Sequence, residues 1–167
     1  MPKEPDFSAL VLYFKRIAVE HRQIQHDDTH NHFYRFEVDE VLSGIHNLHY
    51  PALIMEGYRF SFGDQKADNP VKKRQGAFIL LDYVSDPGDH HQIHQVWDYL
   101  EEIGDDILAR IRADKRNPNS PVRDFDIESV EGQLLATELG NHYGIRFTFT
   151  IDCRFSLDMN PSKWLNP

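Results

Sequence analysis

Ile145-Arg146-Phe147-Thr148-Phe149-Thr150-Ile151-Asp152-Cys153-Arg154-Phe155 alternates apolar and polar side chains without a break. Successive side chains of an extended chain point to opposite faces, so this period of two predicts a strand with its Phe, Ile and Cys positions in a core and its Arg, Thr and Asp positions toward water. Cys153 falls on the inward set and reads as a buried filler, not a nucleophile. Upstream, Gly76 to Val84 holds the unbroken apolar run Ala77 to Leu81, the pattern of a strand covered on both faces. Two short β-type runs, Ala52 to Met55 and Tyr58 to Phe62, flank Glu56-Gly57, which reads as a tight turn. Phe125 and Ile127 open another β-type segment, Leu134 and Leu135 mark a further one, and Asn141 to Gly144 reads as a turn.

The helical signals lie on either side of these strands. Leu10, Phe14, Ile17, His21 and Ile24 step by four and three residues, predicting a helix from Ser8 to Ile24 with Asp6 or Ser8 as cap. Ile93, Val96, Leu100, Ile103, Ile107 and Ile111 repeat in the same way, with Glu101, Glu102, Asp105 and Asp106 mainly on the other side. Between Phe33 and Leu42 the apolar spacing predicts a short helix ended by Ser43-Gly44, although Tyr34, Phe36 and Val38 also alternate as a strand would. The sum is an α+β fold in one domain, residues 1–167: a mainly antiparallel sheet packed against two or three helices in a single layer.

Composition narrows the function. The chain has 167 residues, 40% of them hydrophobic and including 11 Phe and 7 Tyr, which is enough apolar material for one core and excludes a disordered tail. Its formal net charge of −9 argues against a phosphate backbone as partner. A single cysteine excludes an intrachain disulfide. No apolar run approaches the ~18 residues of a membrane span, and Met1 to Phe7 lacks the pattern of a signal peptide, so a cytoplasmic protein without membrane contact is expected.

Candidate chemistry is sparse. His26, His30, His32, His46 and His49 invite a metal reading because imidazole ligates zinc, nickel and copper, but their spacing matches no recognised ligand motif. His90, His91 and His94 open the long helix, where solvent exposure is the simpler reading. Asp82, Asp86 and Asp89 follow a buried strand and suit either a magnesium cluster or the local hydrogen bonds of a turn. Neither a nucleophile elbow nor a phosphate-binding glycine loop occurs, so no catalytic residue, cofactor or metal ligand is assigned. Lys66, Lys72, Lys73 and Arg74 form the one basic cluster, placed in an exposed polar excursion from Gly63 to Gln75. Together with the acidic helix face of Glu101, Glu102, Asp105 and Asp106 they are the candidate partner-binding residues, and contacts of opposite charge between copies could build a ring.

The stretches YPALIMEG (Tyr50 to Gly57), GAFILLDY (Gly76 to Tyr83), VWDYLEEIGDDILARI (Val96 to Ile111) and HYGIRFTFTI (His142 to Ile151), in this order, resemble small tail-completion or tail-terminator proteins. Such proteins are encoded in the structural modules of tailed phages and phage-derived elements, and this chain is similar to the type seen in Bacteroidetes prophages. The resemblance spans residues 8 to 155 and implies a noncatalytic structural component of a tail or neck assembly. Its partners would be proteins, as a homo-oligomeric ring or with tail components, in the cytoplasm or in a phage-like particle. Two rival readings stand beside it: a small metal-dependent hydrolase using the His-rich segment and the Asp82 to Asp89 turn, and an intracellular adaptor that binds one protein through the basic loop.

Overall fold

The computed structural model describes residues 6–35, 48–63, 70–137, 140–156 and 159–166. Its elements in chain order are α1 (Phe7–Glu20), β1 (Phe33–Arg35), β2 (Ala52–Met55), β3 (Arg59–Gly63), β4 (Val71–Tyr83), α2 (His90–Asp114), β5 (Phe125–Ala136) and β6 (His142–Arg154), with a 3-10 turn at Pro161–Lys163. The fold is α+β, with one six-stranded, mostly antiparallel sheet in the order β1-β2-β4-β6-β5 and with β3 also paired to β4.

Both helices lie on one face of the sheet, because each carries an apolar stripe that only that face can bury. Leu10, Phe14 and Ile17 of α1 and Leu100, Ile103, Ile107 and Ile111 of α2 join Phe78, Leu80, Ile145, Phe147 and Phe149 in one core. The caps are as polar as helix starts require: Asp6 accepts from the Ala9 N–H at 2.8 Å and Asp89 from the Gln92 N–H at 3.0 Å. Gly104 sets how closely α2 approaches the sheet, since a Cβ built there would stand 2.2 Å from Cζ of Phe147. Phe147 stacks in turn on Phe78 with ring centroids 4.8 Å apart. On the opposite face a smaller cluster of Tyr34, Ala52, Ile54, Ile79 and Leu81 is packed by Leu48, Tyr50 and Leu135. The central part of β4 is therefore buried on both sides, as its unbroken apolar run requires.

Several expectations are corrected. Phe33–Arg35 is a strand, not a helix, running parallel to β2 with Tyr34 opposite Ile54. The period of two prevails because it sends Phe33 into the helix-side core and Tyr34 into the other cluster; the rest of the expected helix, residues 36–42, and its Ser43-Gly44 end lie outside the described residues. Glu56-Gly57 is no hairpin turn. β2 and β3 both pair antiparallel with β4, from Ala52 opposite Leu81 to Gly63 opposite Val71, so residues 56–58 form a local bulge in one interrupted line of strand. β5 is likewise one strand with a register shift between Asp126 and Glu131, not two segments. Helix α1 stops at Glu20, because His21 turns extended and Gln25 takes φ +53°, folding Ile24 back into the core. The turn before β6 centres on Gly140, at φ +79°, which leaves His142 to Gly144 inside the strand.

Candidate functional site

Three of the four residues of the expected basic loop lie on a strand instead. Lys66 lies outside the described residues, whereas Lys72, Lys73 and Arg74 sit on β4 and diverge with the strand's alternation. Lys72 is on the helix side, where its Nζ stands 4.7 Å from the ring centre of Phe60, 5.1 Å from Phe155 and 5.6 Å from Phe62. This places a cation within reach of three aromatic faces. Lys73 points to the other side and pairs with Asp152 at 3.6 Å. Arg74 corrects the exposed-cluster expectation: it is 2% exposed, in register with Ile151, with its guanidinium 5.7 Å from the Tyr58 ring. Glu101, Glu102, Asp105 and Asp106 are all exposed on α2, as their helical phase predicts, and Asp106 reaches His21 at 3.5 Å. The basic and acidic sets thus occupy separate elements.

Two exposed aromatics complete the basic end of the sheet. Phe60 is 56% and Phe62 49% exposed, and their rings meet edge to face with centroids 5.9 Å apart. They share a sheet face with the buried Phe78 and Phe149, but the helix layer does not cover them. Phe155 extends the cluster, its ring centre 5.3 Å from that of Phe62. The result is an aromatic platform with a cation in it, and exposed aromatic side chains are a feature that protein interfaces favour.

The opposite face holds a polar groove of about 680 Å³. The two bulges make its walls, Glu56 and Arg59 on one side and Ser129 and Glu131 on the other, while Gln75, Thr148 and Thr150 line its floor. Buried Glu56 is held by Arg146, whose Nε and terminal nitrogen donate to the same carboxylate oxygen at 2.9 and 2.6 Å. Sequence reasoning missed this pair, since its members are 90 residues apart and nothing local marks either.

His30, His32 and His49 come together, the His49 ring centre 5.5 Å from that of His30 and 5.6 Å from that of His32, while the remaining described histidines take separate local roles. His26 is buried, and its Nδ1 accepts the His32 N–H at 3.2 Å; burial lowers its pKa, with Lys15 and His32 adding to the shift. The His32 ring donates from Nδ1 to the Pro51 carbonyl at 2.9 Å, and His30 leans on Asp27 at 3.4 Å. His46 lies outside the described residues, and His90, His91 and His94 are exposed. His142 meets the Tyr50 hydroxyl at 2.6 Å, and burial pushes the Tyr50 pKa up to about 12. Asp82 binds its neighbour's N–H at Tyr83, Asp86 that of Gly88, and Asp89 caps α2. Burial raises the Asp82 pKa. Among the described residues, no three His, Cys, Asp or Glu side chains are grouped to hold a metal ion.

No protein-family model and no curated protein matches the chain. Among the described residues, no helix is long and apolar enough to cross a membrane.

Proposed function

We propose that this chain is a noncatalytic structural component that docks on other proteins, in the manner of a tail-terminator in a phage or phage-like tail or neck assembly. One observation carries the reading: the aromatic platform of Phe60, Phe62 and Phe155 around Lys72, left uncovered at one end of a sheet whose centre is closely packed. Large apolar side chains gathered on an open surface gain more free energy when a partner covers them than scattered single aromatics would. The acidic face of α2 supports the same reading, since it offers a second surface of opposite sign for a neighbour in an assembly.

The test is co-expression with the tail-tube protein encoded nearest to its gene, followed by electron microscopy of the purified particles. Density for this chain at a tube end or neck is the expected result, lost in the Phe60→Ser, Phe62→Ser double variant. Tubes that form and terminate identically without the chain would overturn the assignment.

A further inference from the structure

We propose that copies of this chain join head to tail, β3 of one copy adding to the free edge of β5 of the next, so that the antiparallel sheet continues across the contact. The proposal rests on the docking role above and names its partner, a second copy of the chain. Among the described residues, β5 and β3 each pair on one side only, β5 with β6 and β3 with β4. β3 runs antiparallel to β4, β4 to β6 and β6 to β5, so β5 and β3 point in opposite directions. A second copy set beside the first in the same orientation therefore meets it antiparallel, the more stable ladder, with no strand reversed.

The edge of β5 is ready to accept a strand. The Thr137 N–H donates to the His142 carbonyl at 3.0 Å, and bonding alternates along an antiparallel pair. The backbone groups of Gly132, Leu134 and Ala136 consequently face away from β6, toward the free edge. Trp97 of α2 donates its indole N–H to the Leu135 carbonyl at 3.2 Å and steadies this stretch.

Side chains choose the pairing. Leu134 is 52% exposed and lies on the helix side, in register with Ile145; Phe60 and Phe62 lie on the same side, in register with Arg74 and Lys72. The register that sets Phe60 opposite Gly132 and Phe62 opposite Val130 keeps the faces together and leaves Leu134 diagonal to Phe60, so that an aromatic ring covers a glycine that has no side chain of its own. On the opposite face the same register brings Arg59 near Glu131 and Gln133. Two β5 edges carrying Asp126, Glu128 and Glu131 would repel, whereas a β3 edge carrying Arg59 is attracted to either. Charge thus selects the heterologous contact over the symmetric ones.

Complementation of two one-edged chains tests the idea. Leu134→Lys disables the β5 edge and Arg59→Glu with Phe60→Ser disables the β3 edge, each at exposed positions, with unchanged far-ultraviolet circular dichroism as the folding check. By light scattering the native chain is expected to associate with rising concentration, and each variant alone at least about tenfold more weakly. An equimolar mixture should form a dimer that grows no further, because each copy retains one of the two edges. Glu131→Arg mixed with Arg59→Glu should likewise associate more strongly than either alone. A native chain that stays monomeric at every soluble concentration overturns the proposal. So does an oligomer that survives both edge variants, which would leave the tail-docking reading standing on another surface.

Discussion

The two faces of β4 and β6 carry side chains from the same strands and meet different fates. On the helix side, Phe78, Leu80, Phe147, Phe149 and Ile151 are each at most 5% exposed and interlock with the rings and branches of α1 and α2. On the other side, Gln75, Thr148 and Thr150 floor an open groove, and among the described residues the covered end is the one near Tyr34, Ile54, Ile79 and Leu81. The contrast separates what holds the molecule together from what it presents. Close packing concentrates stability on one face, while much of the other face and the uncovered end of the helix side stay open to solvent.

The largest effect that would break this contrast is expected at Phe149, whose ring centre lies 5.0 Å from that of Phe125 and 6.0 Å from that of Phe14. Phe149→Ala should cost about 3 to 5 kcal/mol in denaturant melts, because the neighbouring rings cannot close over the cavity. Arg146→Met comes next, at about 2 to 3 kcal/mol, since it strands the buried Glu56 carboxylate on the groove side; adding Glu56→Gln to Arg146→Met in the same chain should recover part of the loss.

Gly104→Ala should destabilise by about 1 to 3 kcal/mol, even though alanine is the better helix former. The added methyl would meet Phe147, and Phe147→Leu in the same chain should relieve it; a neutral or stabilising Gly104→Ala would show that α2 does not ride as close to the sheet as described.

Acid should weaken the segment joining α1 to β1. Burial lowers the His26 pKa below the 6.5 of an unfolded chain, so the unfolded state takes up the proton first and stability falls as pH drops from about 6.5 toward the folded value. His26→Asn, whose amide oxygen can replace the Nδ1 acceptor, should flatten that dependence in melts between pH 7 and pH 5. The smallest effect is Thr148→Ala, which should cost well under about 1 kcal/mol. A loss as large as that of Phe149→Ala would mean that the groove side is packed after all.

Much of the helix side was legible in the residues. The six inward positions from Ile145 to Phe155 and the three-four steps of the long helix each encode a face over eleven residues or more, and amphipathic patterns of that length have one burial solution. Short elements were not so secure. Phe33–Arg35 is too brief for either period to decide, and the strand form follows from pairing with β2, whose partner residues are 20 positions further along the chain. The bulge at residues 56–58 read as a turn because glycine and charge mark both features alike, and the register shift between Asp126 and Glu131 left β5 reading as two segments. Arg74 looked like part of a solvated cluster, yet the strand carries it beneath Tyr58.

The sequence by itself determined the class of fold, the two helices and the strand faces that make the core, because each is written in a local repeat of hydrophobicity. It also determined the acidic balance, a formal net charge of −9. Only the tertiary structure decided that Glu56 meets Arg146, that Tyr50 meets His142, and that Phe60, Phe62 and Leu134 remain in the open. Alternation states which side chains share a face, but how far a helix layer reaches along that face, and which strand edges remain unpaired, depends on the packing of elements distant in the chain.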